Sequence, residues 1–215
     1  MAKSTSRFYC KECGYESAKW LGQCPSCRAW NTFVEEPVVK AVSNTGFSRS
    51  TGTRPLRQRP VHIDEITVER EDRIPTGFQE LDRVLGGGIV VGSMVLLGGD
   101  PGIGKSTILL EVSRNLAAVN QKSVLYVSGE ESLKQMKLRA ERIESISGDL
   151  RFMTETNIEN IVETLQEEKP DFAVIDSIQT MYTESVSTAP GSVSQVRESA
   201  AQLLRVAKEY GIAIF

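Results

Sequence analysis

After residue 92 the chain alternates between short apolar runs and longer stretches in which apolar residues recur every three or four positions. Ser93–Gly98 (SMVLLG) is a run of the first kind and predicts a buried strand, as do Ser123–Ser128 (SVLYVS) and Asp171–Asp176 (DFAVID). Lys105–Ala118 is of the second kind, with Ile108, Leu109, Val112 and Leu116 on one helical face. A helix is predicted from Ser132 to Ile143 and a short strand at Leu150–Met153. Thr156-x-x-Glu159 predicts a capping box opening a helix that carries Ile158, Ile161, Val162 and Leu165 on one side and stops at Pro170. Ser192-x-x-Gln195 predicts a second capping box, before an Ala/Leu-rich helix that runs to Tyr210. Gly211 and the apolar Ile212–Phe215 follow. Strands alternating with helices place the region in the α/β class, with a mostly parallel sheet covered on both faces. Because Ile212–Phe215 has no turn or polar tail after it, the expectation is a core truncated at its C-terminus, inside its sheet.

Residues 1–60 break this pattern. Residues 8–34 gather all four cysteines with Tyr9, Tyr15, Trp20, Trp30 and Phe33. Residues 35–60 show no period, few large apolar side chains, and many Ser, Thr, Arg and Pro. That composition buries too little surface to offset the entropy of ordering, so a flexible linker is expected. The expected organisation is a four-cysteine module at 1–34, the linker at 35–62 and the α/β core at 63–215.

Charge sharpens the division. Residues 1–60 hold ten Lys/Arg against four Asp/Glu, a balance of +6, while residues 61–215 hold fifteen against twenty-four, a balance of −9. A basic head on an acidic body fits contact with a polyanion, although a solvated basic arm would show the same balance. Mean hydropathy is −0.21. No run of 18 apolar residues and no apolar leader occurs, which leads to the expectation of a cytoplasmic chain with no membrane segment. The only histidine, His62, excludes mechanisms that need two imidazoles, and it has the setting of an ordinary surface residue. With every cysteine between positions 10 and 27, the core has no thiol nucleophile.

Four motifs carry chemistry. Cys10-x2-Cys13 and Cys24-x2-Cys27 are two knuckles separated by ten residues. Each aims two thiolates at one point, and together they make a closed tetrahedral site with no position for a reactive water. Gly14 and Pro25 suit the tight turns. Zinc is the expected metal; iron in the same sulfur cage, disulfides and unligated thiols are the other readings, the disulfides disfavoured in a reducing compartment. Gly99-Asp100-Pro101-Gly102-Ile103-Gly104-Lys105-Ser106 matches the phosphate-binding loop G-x-x-x-x-G-K-[ST] between a predicted strand and a predicted helix. Its glycines let successive N–H groups face one anion at the positive end of the helix. Lys105 reaches the β- and γ-phosphates in such a loop, and Ser106 places its hydroxyl on Mg²⁺. Phe172-Ala173-Val174-Ile175-Asp176 has the form of a strand ending in a Mg²⁺-holding carboxylate. Glu130 and Glu131 follow the SVLYVS strand, at the edge where a parallel sheet binds its ligand. Glu130 is the candidate base that orients or deprotonates water, with a helix-capping role competing; Glu131 reads as the cap.

The run Thr76-Gly77-Phe78-x2-Leu81-Asp82-x2-Leu85-Gly86-Gly87-Gly88, leading into GGDPGIGKST, resembles the RecA-like P-loop ATPases. The zinc-ribbon module in front of it, together with YVSGEES (126–132) and IDSIQT (175–180), resembles the RadA family of bacterial DNA repair proteins, and the resemblance runs through all 215 residues. It implies ATP hydrolysis stimulated by DNA, and the processing of recombination intermediates (branch migration and strand exchange) alongside the RecA recombinase. It also implies a ring-shaped homo-oligomer, a hexamer, acting on single-stranded or branched DNA. At the matching positions it implies that Gly99–Gly104 and Lys105 bind ATP phosphates and that Thr107 meets the α-phosphate. Ser106 and Asp176 would organise Mg²⁺, and Glu130 would activate water. Gln179–Ser194 falls where RecA-like proteins place a DNA-contacting loop. With no Lys or Arg in it, any phosphate contact there rests on backbone N–H and hydroxyl groups. Two family features, a Lys-Asn-Arg-Phe-Gly motif and a Lon-protease-like domain, do not occur in these residues, so the implied activity is that of the complete protein. From the residues alone, a small-molecule kinase and a nucleotide-dependent regulatory scaffold remain competing readings, since both use the same phosphate loop.

Overall fold

The computed structural model describes residues 6–12, 14–37, 62, 73–143 and 147–215. Cys13 and most of the linker expected at 35–62 lie outside the described residues. The chain divides into two units, one of Met1–Cys10 and Tyr15–Glu71, the other of Lys11–Gly14 and Asp72–Phe215.

The first unit is a three-stranded antiparallel sheet of β1 (Ser6–Cys10), β2 (Glu16–Ser17) and β3 (Phe33–Pro37), in the order β2-β1-β3. Tyr9 pairs with Val34 and Cys10 with Phe33. Its buried residues among those described are Cys10, Cys24, Thr32 and Phe33. Two of the four are cysteines, far too little apolar surface to hold a fold alone.

The second unit carries, in chain order, α1 (Gln79–Val84), α2 (Lys105–Ala118), β4 (Val124–Ser128), α3 (Leu133–Ala140), β5 (Leu150–Thr154), α4 (Ile158–Glu168), β6 (Phe172–Asp176), α5 (Val193–Tyr210) and β7 (Ala213–Ile214). The four strands form a parallel sheet in the order β5-β4-β6-β7. Strand residues alternate between its faces. Leu125, Val127, Ala173 and Ile175 pack with Ile158, Ile161 and Leu165 of α4 and Leu203 and Val206 of α5. Tyr126 and Val174 pack on Leu109 and Leu110 of α2 and Met136 and Ala140 of α3. Both faces are therefore covered, which is why the central strands are largely apolar and show no alternation of apolar and polar positions. At its N-terminal edge Asp171 ties β4 to β6, accepting from the Ser123 N–H and hydroxyl (both 2.9 Å) and from Lys122 Nζ (3.3 Å). Burial alone would raise this carboxyl, but the Ser123 donors and the Lys122 ammonium outweigh it and hold the group below the usual carboxylate range.

Four local expectations are corrected. Ser93–Gly98 is not a buried strand: Val95 N and Ser93 O pair with Ile214, Met94 forms one bridge, and Leu96 is 85% exposed. Thr156 is not a cap; Asn157 takes that place, accepting from Asn160 N at 3.0 Å. Glu159, its expected box partner, instead accepts from the Thr183 hydroxyl. Ser192 does cap α5, but Gln195 does not complete the box and is buried under the preceding loop. The helix predicted to reach Ile143 ends at Ala140, and Ser132 with Gln135 forms a full capping box at its start. Among the described residues no helix is long and apolar enough to cross a membrane.

Candidate nucleotide site and metal centre

The phosphate loop is shaped by backbone requirements. Gly102 (φ 79°) and Gly104 (φ 103°) are left-handed, a region side-chain-bearing residues rarely adopt. Gly104 caps α2 without a side-chain acceptor, so the first N–H groups of the helix remain available to an anion. Lys105 Nζ donates to the carbonyls of Gly99 (2.7 Å) and Asp100 (2.9 Å), which holds the ammonium over the loop. Asp100, Pro101, Gly102, Ile103 and Thr107 are exposed, and Ser106 is half-buried.

Strand register brings the carboxylates together. β4 and β6 are parallel neighbours with Ser128 opposite Asp176, so Glu130 and Asp176 leave the sheet at the same edge. Gly129 N donates to Asp176 O at 2.9 Å. Asp176 Oδ2 accepts from the Tyr126 hydroxyl at 2.6 Å. Tyr126 is raised well above the ordinary phenol range, first by burial and then by the hydrogen bond and charge of Asp176, so it stays a donor. The two adjacent glutamates part company here. Glu131 accepts from Arg139 of α3, while its N–H donates to Ser128 Oγ. Glu130 is exposed, and its Oε1 accepts from the Ser177 hydroxyl at 2.7 Å.

Beyond a 3-10 turn at Ile178–Thr180, the loop at 179–194 is organised from beneath. Gln195 Oε1 accepts from Thr183 N (2.8 Å), and its Nε2 lies within reach of the carbonyls of Val186 (2.8 Å), Thr188 (2.9 Å) and Thr183 (3.2 Å). A single buried amide thus sets the shape of a polar loop.

In the first unit the Sγ atoms of Cys10, Cys24 and Cys27 lie within 4.8 Å of one another. Cys10 Sγ and Cys27 Sγ are 3.6 Å apart. A disulfide needs about 2.05 Å, whereas tetrahedral Zn–S bonds of about 2.3 Å set sulfurs roughly 3.8 Å apart. The donor set therefore fits zinc. The two knuckles repeat one backbone device: Cys10 N donates to Tyr15 O and Cys24 N to Ala29 O, each at 2.9 Å. Gly14 and Arg28, each following the second cysteine position, are both left-handed (φ 71° and 60°).

Sequence reasoning passed over Tyr126 and Ser177, and assigned Gln195 to a capping box instead of to the loop it holds. A phenol inside an otherwise apolar strand was a usable signal for Tyr126, because a buried hydroxyl must find an acceptor. Ser177 carries no such signal.

A parallel sheet with helices on both faces and a phosphate loop at the carboxyl edge of its strands defines a P-loop nucleotide-binding protein. Residues 57–215 match the AAA domain family, and the chain belongs to it. Residues 8–35 match the rubredoxin metal binding domain. Over its whole length the chain is similar to the DNA repair protein RadA of Bacillus subtilis, 53% identical over 217 residues. The corresponding proteins of Listeria monocytogenes and Pseudomonas aeruginosa are 55% identical over 214 residues and 51% over 215. In each case all of this chain is covered and 46% of the relative, so the chain spans about half the length of the curated relatives it matches. Among solved structures, a KaiC-like protein from the hyperthermophilic archaeon Pyrococcus horikoshii shares the fold, with a TM-score of 0.55 at 20% identity, covering 66% of this chain and 68% of that one.

Proposed function

We propose that this chain is the zinc-ribbon and ATPase part of a DNA repair protein that hydrolyses ATP and couples the hydrolysis to DNA. The observation that carries the reading is the arrangement of one sheet edge: the Gly99–Gly104 nest and Lys105 at the start of α2, Asp176 at the end of β6, and Glu130 two residues past the end of β4, the strand paired with β6. Gly99, Asp100, Pro101, Gly102, Ile103 and Gly104 cradle the phosphates, Lys105 neutralises their charge, and Thr107 meets the α-phosphate. Ser106 and Asp176 hold Mg²⁺, which supplies charge for the transferring phosphoryl group when bound. Glu130 is the base that takes a proton from water, because Glu131 is engaged by Arg139. Cys10, Cys13, Cys24 and Cys27 hold zinc, and the cysteine module at 1–34, the linker at 35–62 and the core at 63–215 act as separate parts. The loop at 179–194 meets single-stranded or branched DNA through N–H and hydroxyl groups. The complete protein works in the cytoplasm as a hexameric ring beside the RecA recombinase.

The test uses the intact protein. Lys105→Ala is expected to weaken nucleotide binding and abolish turnover, and Glu130→Gln to retain binding and lose hydrolysis by at least a hundredfold. Single-stranded DNA is expected to raise phosphate release from the wild type. Hydrolysis at the wild-type rate by Glu130→Gln overturns the assignment of the base, and a rate indifferent to DNA overturns the coupling.

A further inference from the structure

We infer that Ser177 is the positioning residue for the Glu130 base; this rests on the reading of Glu130 given above. The geometry is direct. Glu130 is exposed on the loop after β4, where a glutamate side chain with free rotation would spread over several rotamers. The Ser177 hydroxyl donates to its Oε1 at 2.7 Å. That fixes the direction of the carboxylate and leaves Oε2 to accept a proton from water.

Ser177 can do this because its own place is set from three sides. It follows Asp176, the last residue of β6, whose carbonyl accepts from Gly129 N at 2.9 Å. Its carbonyl accepts from Thr180 Oγ1 at 2.8 Å and Thr180 N at 3.1 Å, which closes the 3-10 turn. The turn in turn rests on the Glu130 loop: a Cβ placed on Gly129 would lie 2.1 Å from Thr180 Oγ1 and 3.1 Å from Met181 Cε. Met181 itself is fully buried. The two loops therefore meet without a spare methyl group between them, and Ser177 reaches Glu130 from a rigid base. A hydroxyl held this way orients a base at no reorganisation cost during reaction.

The role differs from that of a structural hydroxyl in what its loss changes. Ser177→Ala removes the donor and leaves the phosphate loop, Lys105 and Asp176 untouched. In the intact protein, at saturating single-stranded DNA, kcat is expected to fall about tenfold to a hundredfold, the range that loose placement of a catalytic group costs. The Kd for a non-hydrolysable ATP analogue is expected to stay within twofold, and Ser177→Thr, which keeps the hydroxyl, to recover most of the rate. An unchanged kcat in Ser177→Ala overturns the inference, as does a parallel loss of analogue binding or a failure of Ser177→Thr to recover any rate. Glu130→Gln, measured beside them, separates the two readings. If it is inactive while Ser177→Ala keeps full rate, only the positioning role fails; if it hydrolyses normally, the assignment of the base fails first.

Discussion

Replacing Tyr126 by Phe isolates one interaction at the nucleotide edge of the sheet. The ring is buried in the centre of β4 and packs against Phe152 at 5.7 Å between centroids, contacts that Phe retains. What disappears is the hydroxyl that donates to Asp176 Oδ2 at 2.6 Å. Hydrogen bonds to charged groups contribute about 1.5–3 kcal/mol. Asp176 is half-buried, so water replaces part of the lost donor, and a net cost of about 1–2 kcal/mol is expected. For a domain of this size that lowers Tm by roughly 2–8 °C. Circular dichroism melts at pH 7 read this directly, and the same samples test a pH signature. Burial, then the Asp176 hydrogen bond and charge, raise Tyr126 above its ordinary value. Below about pH 10 the phenol is protonated in both folded and unfolded chains, and its contribution does not vary with pH. Above that, the unfolded chain releases the proton while the folded chain keeps it. The unfolded state then binds fewer protons, and stability falls as pH rises. The wild type is expected to lose stability more steeply than Tyr126→Phe above about pH 10, so the gap between them narrows there. Equal melting temperatures at pH 7, or identical alkaline slopes, would refute the reasoning.

Two further outcomes are expected. Cys24→Ser releases the metal and unfolds the module around residues 8–34, since such sites supply about 10–16 kcal/mol of folding energy; elemental analysis and the near-ultraviolet signal of Trp20 and Trp30 read it, and wild-type protein without zinc or iron would sink the idea. Gly129→Ala drives a methyl group against Thr180 Oγ1 and costs about 1–3 kcal/mol in denaturant unfolding. Thr180→Ala in the same chain is expected to restore part of that loss, and a neutral Gly129→Ala would show that the two loops are not in close contact.

What the sequence determined by itself is local. The phosphate loop, the cysteine spacing, the apolar runs of β4 and β6 and the helical face of α2 are each written within a short stretch of chain, because turn chemistry, knuckle geometry and periodicity act over that range. The α/β class followed from their alternation. The tertiary structure decided what depends on neighbours distant in the chain. Ser93–Gly98 reads as a strand by composition, but pairing needs a partner distant in the chain, and Ser93 and Val95 find theirs in Ile214. Thr156 and Gln195 have the spacing of capping residues, yet a cap competes with other uses of the same polar atoms. Asn157 took the first position, and the loop at 179–194 took the Gln195 side chain. Above all, Glu130 and Glu131 are adjacent and chemically identical in the sequence. They are separated by what faces them: Arg139, eight residues along the chain near the end of α3, and Ser177, delivered by the parallel register of β4 and β6. Tyr126 and Asp176 meet through that same register, which no local spacing encodes.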